Sequence, residues 1–377
     1  MTHVLIDCTA LPANRGGVGR YIEGLLGGFD PEAIELTIAV QHRDAADLAA
    51  IVPWARVHAL PERLSHRALR LVWEQLGLPG VARAVGADVI HSPHYTFPVL
   101  TRRRRVVTLH DATFFSDPEV HGTLKRAFFR WWTARAWRHA DAVVMPSAAT
   151  HDEIARFLGA PRAHPVIALH GVDREVFHQP TPADVSLLRA ELGLAAHETW
   201  IAFLGTIEPR KNLTALFDAY AVVRQRLGAA APTLLLAGGR GWDAPVFARL
   251  DADGGIDGVR ELGYLRLEQL PALLGGAEIV AYPSLGEGFG LPVLEAMSAG
   301  AAVLTTRRLA LPEVGGDAVE YSEPDAPALT AAMLALLSDP ARRAELGASA
   351  LARAATLSWS ASAAAHLEAY TERGARE

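Results

Sequence analysis

A glycine-rich loop near the end of the chain carries the first residues that could do chemistry. The apolar run "AEIVAYPS" ends at Ser284, "LGEGFG" follows, and Pro292 suits the first turn of a helix, where a missing N–H costs nothing. Gly300 suits the end of that helix. The residues just before the helix are Gly288, Phe289, Gly290 and Leu291. Backbone N–H groups in this position, together with the helix dipole, favour an anion such as a diphosphate.

Two glutamates, Glu287 and Glu295, flank this loop. Glu295 comes three residues after Pro292, so it points back along the same helix face. A carboxylate beside a phosphate is repelled unless it binds something else, and its oxygens can accept bonds from two hydroxyls at once. Two carboxylates around a diphosphate therefore predict a ligand with a sugar at each end, as in a nucleotide sugar. The alternative is an ordinary strand–loop–helix turn, with Glu287 on the surface and Glu295 in packing.

Two adjacent cations, Arg210 and Lys211, stand in "FLGTIEPRKNL". A strand that ends at Gly205 and a helix that begins near Asn212 would bring both cations to the carboxyl end of a strand, where ligands of such sheets bind. There they could neutralise a diphosphate through charge-assisted hydrogen bonds of about 1.5–3 kcal/mol each. The alternative is the solvated basic start of a helix.

The two glutamates with seven residues between them, placed after "PS", and "GFGLPVLEAMSAG" resemble the retaining family-4 glycosyltransferases of GT-B fold. The resemblance covers nearly the whole chain. It implies that Glu287 contacts the donor sugar, that Glu295 binds the nucleotide ribose, and that Arg210 and Lys211 hold the diphosphate. Many members carry arginine directly after the strand glycine, where this chain has Thr206, so the arginine role falls to Arg210.

Three further segments match the same family. "VVTLHDATFF" implies that His110 lies near the reacting carbon of the donor sugar, and the alternative is a structural histidine. The loop "RGGVGRY" implies that the amide of Gly17 approaches the donor phosphate, and the alternative is a plain turn. Ile22 replaces the third glycine of a dinucleotide fingerprint, so that site is not supported. "VRELGYL" suggests Leu265 as a contact to the base.

The resulting predictions divide into two sets. The catalytic set is His110, Arg210, Lys211 and Glu287. The donor-binding set is Gly17, Gly205, Thr206, Leu265, Gly288, Phe289, Gly290, Leu291 and Glu295.

The elements that must position these residues are short apolar runs alternating with helical patterns, which indicate parallel sheets buried on both faces. The pattern occurs twice, with a linker at about Val176 to Pro182. We therefore expect an α/β protein with two doubly wound Rossmann-like domains, residues 1–178 and 183–358, facing a central cleft. The resemblance implies that a C-terminal helix at about 360–377 crosses back to the first domain.

Composition narrows the class of protein. The chain has 377 residues, more than one core usually covers, and its net charge of −6 gives no reason to expect nucleic acid as a partner. The single cysteine, Cys8, supports no disulfide framework. With neither a signal peptide nor an apolar run of membrane-spanning length, we expect a cytoplasmic enzyme.

One segment indicates contact with a membrane. Residues 122–140 hold five Lys or Arg, no acid, and interleaved Phe and Trp, and the run Arg102 to Arg105 precedes them. A basic, aromatic helix suits an anionic membrane surface, which would place the enzyme peripherally at the inner face. The alternative is a domain helix with buried aromatics and a solvated basic face.

Two short motifs imitate metal sites. "DAD", Asp251 to Asp253, lies in a polar connection rather than at a strand end. His91 and His94 in "HSPH" have zinc-like spacing but no Cys or carboxylate partner nearby in the sequence. We therefore expect no metal and no cofactor, with the two cations in the role of a metal.

The predicted function is a metal-independent retaining glycosyltransferase that uses a nucleotide sugar and a saccharide or lipid-linked saccharide acceptor. "LPEVGGDAVEYSEPDAPAL" and "HDATFF" resemble bacterial mannosyl- and rhamnosyltransferases of surface polysaccharides, so GDP-mannose is the first choice. A dTDP- or UDP-sugar donor is the alternative. A nucleotide-sugar epimerase, a silent nucleotide-sugar binder and a pyridoxal-phosphate phosphorylase are the rivals; the last needs a Schiff-base lysine, and the chain has only Lys125 and Lys211.

Overall fold

A computed structural model describes residues 1–12, 15–116 and 122–371. The chain divides into two compact units. The first comprises Met1–Gly171 and the C-terminal segment from Ser358, and the second comprises Val172–Leu357. The chain thus leaves the first unit shortly before the predicted linker.

The strands are β1 (Thr2–Asp7), β2 (Ile34–Gln41), β3 (Arg56–Leu60), β4 (Val89–Ser92), β5 (Arg104–Thr108), β6 (Ala142–Met145), β7 (His164–Ile167), β8 (Trp200–Leu204), β9 (Thr233–Ala237), β10 (Val259–Gly263), β11 (Ile279–Tyr282), β12 (Val303–Thr306) and β13 (Glu320–Ser322).

The helices are α1 (Gly17–Gly28), α2 (Ala45–Ile51), α3 (Arg67–Leu76), α4 (Leu78–Val85), α5 (Thr113–Ser116), α6 (Thr123–His139), α7 (Ala148–Leu158), α8 (Pro182–Glu191), α9 (Leu213–Leu227), α10 (Ala244–Leu250), α11 (Leu270–Gly275), α12 (Leu291–Ser298), α13 (Leu311–Gly315), α14 (Ala326–Ser338), α15 (Pro340–Ala354) and α16 (Trp359–Thr371). Among the helices of the described residues, none combines the length and the apolar character needed to cross a bilayer.

The first unit is built on a seven-stranded parallel sheet in the order β3-β2-β1-β4-β5-β6-β7. Successive side chains of a strand point to opposite faces, so β1 contributes to two cores. Val4 and Ile6 pack in the cluster that includes Tyr21 of α1, and Leu5 packs in the cluster that includes Leu78 of α4. Burial on both faces explains why the central strands read as continuous apolar runs.

The C-terminal helix α16 packs on α1 and on the sheet of the first unit, which confirms the predicted crossing. Trp359, its first residue, lies against a glycine face of α1. A Cβ atom at Gly24 would stand 2.1 Å from Cε2 of Trp359, and one at Gly28 would stand 2.3 Å from its carbonyl oxygen. The close approach of the two helices therefore depends on the absence of side chains at both glycines.

The second unit is built on a six-stranded parallel sheet in the order β10-β9-β8-β11-β12-β13. Strands β8 and β11 are paired neighbours, with Ile279 opposite Ile201. Their following loops, residues 205–212 and 283–290, therefore leave the same edge of the sheet. The predicted α/β class with two Rossmann-like sheets is confirmed.

Two strands, β3 and β13, have no counterpart in the sequence prediction. Both are edge strands, and both lack a buried apolar run: most of β3 is exposed, and β13 is half-buried throughout. Since the prediction relied on such runs, it found the central strands and missed these edges.

Candidate functional site

The loop between β11 and α12 enters the helix through a left-handed glycine. Gly290 has φ 106° and ψ 48° and caps α12, with Pro292 in its first turn. A side chain here would be strained, and its Cβ would also stand 2.9 Å from Cδ2 of Leu311. The predicted helix N-terminus is therefore present, with Gly288 and Phe289 directly before it.

Glu287, in this loop, is buried and surrounded by donors. Its Oε1 accepts hydrogen bonds from Lys211 Nζ at 2.7 Å and from Ser284 Oγ at 2.6 Å. The hydroxyl of Tyr282 donates to the same oxygen at 3.0 Å. The guanidinium of Arg210 donates to Oε2. These four donors together stabilise the ionised form of the Glu287 carboxylate.

The ionisation of this cluster follows from its neighbours. Burial alone would raise the pKa of Glu287, but the charges of Arg210 and Lys211 and the hydrogen bonds outweigh it and lower that pKa to about 2. Burial, and then the charge of Arg210, lower the pKa of Lys211. Burial, and then the charge of Glu287, raise the pKa of Tyr282, so its hydroxyl stays protonated and donates.

Arg210 is held from two sides. Its guanidinium donates to Oε1 of Glu208 at 2.7 Å and to the carbonyl of Gly286 at 2.9 Å. Its own carbonyl accepts the N–H of Leu285 at 2.8 Å. Asn212, in the left-handed conformation at the start of α9, donates to the carbonyl of Pro283 at 3.2 Å. These bonds join the loops after β8 and β11 into one framework.

The structure thus brings Arg210, Lys211 and Glu287 together, because their loops follow the neighbouring strands β8 and β11. The sequence prediction treated the cations as ligands of a diphosphate and Glu287 as a ligand of a sugar. In the structure they are bonded to one another. The prediction also missed Glu208, Tyr282 and Ser284. Glu208 lies two residues before Arg210, and Tyr282 and Ser284 lie at the end of β11. These positions could have marked them as candidate site residues.

Glu295 lies in α12, three residues after Pro292, and is buried. Its predicted contact with a ribose stays a prediction.

His110 is the predicted catalytic residue of the first unit. It follows β5 by two residues, and its Nε2 lies 2.7 Å from the carbonyl oxygen of Pro93. A carbonyl only accepts, so Nε2 carries the proton and neutral His110 has an acceptor at Nδ1. Burial lowers the pKa of His110. The ring of Tyr21 meets it edge-on, with centroids 4.9 Å apart.

The neighbouring Asp111 serves the local turn. Its Oδ1 accepts the backbone N–H of Thr113 at 3.1 Å and the hydroxyl of Thr113 at 2.9 Å. The carboxylate therefore fixes the start of α5, and the orientation of His110 comes from Pro93.

Tyr21, whose ring contacts His110, belongs to a chain of hydrogen bonds in which every donor and acceptor can be assigned. His366 of α16 lies with Nδ1 2.7 Å from the carbonyl of Ser362, so Nδ1 donates and Nε2 accepts. The hydroxyl of Tyr21, 2.9 Å from that Nε2, is then the donor. Its oxygen accepts from Thr108 Oγ1 at 2.8 Å. Each proton position is fixed by the one before it.

The chain continues to His91, the residue of the zinc-like motif. Thr108 has donated to Tyr21, so its oxygen accepts from His91 Nε2 at 2.8 Å. The remaining nitrogen, Nδ1, accepts from the hydroxyl of Tyr370 at 2.8 Å. Burial lowers the pKa of His366 to about 4 and holds the pKa of His91 well below its usual range. Both rings are therefore neutral, as the chain requires.

Comparison with known proteins identifies the family. Residues 15–176 match the profile described as "Glycosyltransferase Family 4", and residues 198–339 match the one described as "Glycosyl transferases group 1". The O-antigen chain mannosyltransferase B of Escherichia coli is 33% identical over 273 residues, which are 72% of this chain and 71% of that protein. The chain therefore belongs to the glycosyltransferase family that these two profiles describe.

Two further proteins match over nearly the full length. The GDP-mannose-dependent monoacylated alpha-(1-6)-phosphatidylinositol monomannoside mannosyltransferase of Corynebacterium glutamicum is 27% identical, over 94% of each chain. The solved structure of sucrose-phosphate synthase from Thermosynechococcus elongatus has a TM-score of 0.77 at 19% identity, over 98% of each chain. The second match bears on the fold alone and agrees with the predicted GT-B class.

The remaining predicted donor ligands of this glycosyltransferase lie after strands or at the start of a helix. Gly205 directly follows β8 with φ 150°, and Thr206 beside it is exposed. Leu265 is half-buried, two residues after β10. Gly17 opens α1 after the cap residue Gly16, and among the described residues a Cβ there would meet no atom within 4 Å. Packing against the described part of the chain therefore does not require glycine at position 17.

The basic, aromatic segment forms α6. Trp132 and Trp137 are core residues, and Phe129 stacks on Phe114 with centroids 4.5 Å apart. Leu124 and Trp131 are exposed. Most of the aromatic character of this helix is thus used in packing, as the second interpretation of the segment expected.

The other metal-like motif also has a structural partner. Asp251 forms a salt bridge with Arg240 at 2.8 Å just after α10. Within residues 1–12, 15–116 and 122–371, no group of three or more His, Cys, Asp or Glu side chains could hold a metal ion.

Proposed function

We propose that this glycosyltransferase is a retaining enzyme that moves mannose from GDP-mannose to a saccharide or lipid-linked saccharide acceptor. Two relatives bear the name mannosyltransferase, and one of these names includes GDP-mannose. The observation that carries the proposal is the buried contact of Arg210 and Lys211 with Glu287, directly before a helix N-terminus. Such a site supplies cations and backbone donors for a diphosphate and a carboxylate for hydroxyls.

Charge explains how this cluster would receive a donor. Arg210 and Lys211 are balanced by Glu208 and Glu287, so the cluster is neutral without ligand. A diphosphate competes with Glu287 for the two cations. The displaced carboxylate can then accept hydroxyls of the sugar, while Glu208 keeps Arg210 in place. The diphosphate of the donor thereby takes the place of the Glu287 carboxylate as the anion paired with the two cations.

The proposed reaction is a displacement on one face of the sugar ring. The bond from the anomeric carbon to the phosphate oxygen breaks, and the acceptor hydroxyl oxygen bonds to that carbon on the same face. The hydroxyl proton passes to the leaving phosphate. Arg210, Lys211 and the helix N-terminus stabilise the charge that develops on the diphosphate, so no metal is needed. The family resemblance, and not a measured distance to the donor site, supports a role for His110, which is neutral and oriented by Pro93.

The test combines ligand binding with turnover. We expect GDP to raise the melting temperature more than UDP, dTDP or ADP, and we expect the glycosidic bond of the transfer product to retain the donor's anomeric configuration by NMR. EDTA should leave the rate unchanged. A larger shift with UDP or dTDP would assign another donor, and inversion would refute the mechanism. Isomerisation of the nucleotide sugar without acceptor would identify an epimerase instead.

A further inference from the structure

Tyr282, the last residue of β11, has a hydroxyl that bridges the ion pair of the site. The residue is 1% exposed, and its ring stacks on Phe203 of the neighbouring strand β8, with centroids 6.0 Å apart. The hydroxyl accepts a hydrogen bond from Nζ of Lys211 and donates to Oε1 of Glu287 at 3.0 Å. Packing accounts for the ring, but a phenylalanine would supply the same ring, so the hydroxyl needs a separate explanation.

The proton of this hydroxyl goes to Glu287. A tyrosine hydroxyl donates a single hydrogen bond, and among the described residues Glu287 is the acceptor that Tyr282 reaches. Ser284 is the other neutral donor to Oε1, and its hydroxyl lies 2.6 Å from that oxygen. The same hydroxyl lies 3.1 Å from the carbonyl oxygen of Arg210 and 3.3 Å from that of Gly286. Within this part of the chain, the proton of Tyr282 therefore belongs to the carboxylate, whereas that of Ser284 is shared.

The cations that balance Glu287 are the groups that a diphosphate would engage. Arg210 and Lys211 pair with Glu287, and Glu208 pairs with Arg210. In the proposed function the diphosphate takes these two cations, and the carboxylate then keeps its buried position with hydroxyl donors alone. Burial raises the pKa of a carboxylate that has lost its cations, so the remaining hydrogen bonds decide whether Glu287 stays ionised.

We propose that Tyr282 is a positioning residue, whose hydroxyl holds the Glu287 carboxylate ionised and in place while the diphosphate of the donor occupies the two cations. The hydroxyl can accept from Lys211 and donate to Glu287 at the same time, so it connects the two side chains whether or not they touch. The carboxylate is thereby oriented to accept hydroxyls of the donor sugar. This inference rests on the proposed function and adds to it the group that maintains its carboxylate.

The experiment measures kcat of the wild type and of Tyr282→Phe with saturating GDP-mannose at pH 5 and pH 7.5. A hydrogen bond to an ionised group corresponds to roughly one pKa unit, so its loss should raise the pKa of Glu287 in the donor complex. The ratio of kcat at pH 5 to kcat at pH 7.5 should therefore be about two- to tenfold lower in the variant. A residue that only supports the fold would lower kcat equally at both pH values. Tyr220→Phe is the matched control, because this tyrosine is also buried in the second unit and its hydroxyl donates to the carbonyl of Pro232 at 2.7 Å.

Calorimetric titration separates this inference from the proposed function. The affinity for GDP-mannose relative to that for GDP reports the sugar contacts, and at pH 5 it should fall in Tyr282→Phe but not in Tyr220→Phe. A wild type that binds another nucleotide sugar would correct the donor of the proposed function, and both ratios would then be measured with that donor. Equal ratios in Tyr282→Phe and the wild type, or the same change in Tyr220→Phe, would overturn the role of Tyr282. Circular dichroism should match among the three proteins at both pH values.

Discussion

Lys211 and Glu287 form a buried ion pair in the second unit, with Nζ 2.7 Å from Oε1. Tyr282 and Ser284 share that oxygen, so the carboxylate already has its hydrogen bonds in the free protein. In the proposed function, a diphosphate would therefore replace Glu287 as the partner of Lys211, and sugar hydroxyls would replace the cations as partners of Glu287. Donor binding would then be an exchange of partners at groups that already have their hydrogen bonds.

The first prediction concerns Glu287→Gln. The amide retains the shape of the side chain but leaves Lys211 in a buried site without its anion, and breaking a buried pair costs about 3–5 kcal/mol. We expect the free energy of unfolding, measured by urea titration, to fall by this order. Turnover of the donor should fall by about 10²-fold or more, as when a transition-state ligand is removed.

A double variant separates the ion pair from other effects. Lys211→Met added to Glu287→Gln removes the uncompensated charge, so the pair should lose less stability than the sum of the single variants, by about 0.5–3 kcal/mol. Simple additivity would contradict the coupling. Glu261→Gln is the control, because its salt bridge with Arg240 is on the surface and such bridges contribute about 0–1 kcal/mol.

The site shows what the sequence could and could not predict. The sequence identified Arg210, Lys211 and Glu287 because each follows the end of an apolar strand. The carboxyl ends of parallel strands are where ligands of such sheets bind. Their mutual bonds were not found, because spacing along the chain does not say which side chains satisfy one another. Tyr282 was missed for this reason, because its partner Lys211 lies 71 positions away, in the loop across the sheet edge. Glu208 lies only two positions from its partner Arg210, but the sequence does not say that the two side chains meet.

In the first unit, too, the sequence did not reveal the hydrogen-bond partner of a buried residue. "HSPH" marked His91 only as a zinc-like decoy, and the sequence offered no partner for it. Its partner Tyr370 lies in α16, 279 positions away. The C-terminal helix was predicted from a resemblance, but the residues it supplies to the core become visible only when the helix is docked.

The second prediction is a pH dependence of stability. Unfolded histidine titrates near pH 6.5, and burial lowers the pKa of His366 to about 4 in the folded chain. Between these values the unfolded chain binds more protons, so stability rises with pH across this window and levels off above it. His366 alone contributes up to about 3 kcal/mol to this change, and His91 adds to it.

The measurement is urea unfolding at several pH values from 4 to 7. His366→Gln removes one titrating group, so we expect a shallower slope below pH 6.5 together with lower stability at pH 7. His139→Gln is the control, because His139 is exposed at the end of α6. An unchanged slope in the His366 variant would show that its protonation is not linked to unfolding.

The third prediction concerns Gly17, the first residue of α1. Alanine there meets no atom of the described residues, and alanine restricts the unfolded chain more than glycine does, by up to about 0.5–1 kcal/mol. We expect Gly17→Ala to keep or raise the melting temperature. If the Gly17 amide approaches the donor phosphate, the added methyl should still lower kcat/KM by about tenfold or more. Gly80→Ala in α4, where a Cβ also meets no atom of the described residues, should likewise keep or raise the melting temperature but leave kcat/KM near wild type.

The fourth prediction tests how α16 docks on the first unit. Alanine at Gly24 would place its Cβ 2.1 Å from the indole of Trp359, so the helix must shift, and we expect a loss of about 1–3 kcal/mol in urea unfolding, as in overpacked cores. Gly27→Ala is the neighbouring control, since its Cβ would lie 3.6 Å from Ile51, an ordinary contact. Gly24→Ala/Trp359→Ala should recover part of the loss caused by the clash, relative to Trp359→Ala alone. Equal stability of the Gly24 and Gly27 variants would mean that Trp359 does not fix the position of the helix.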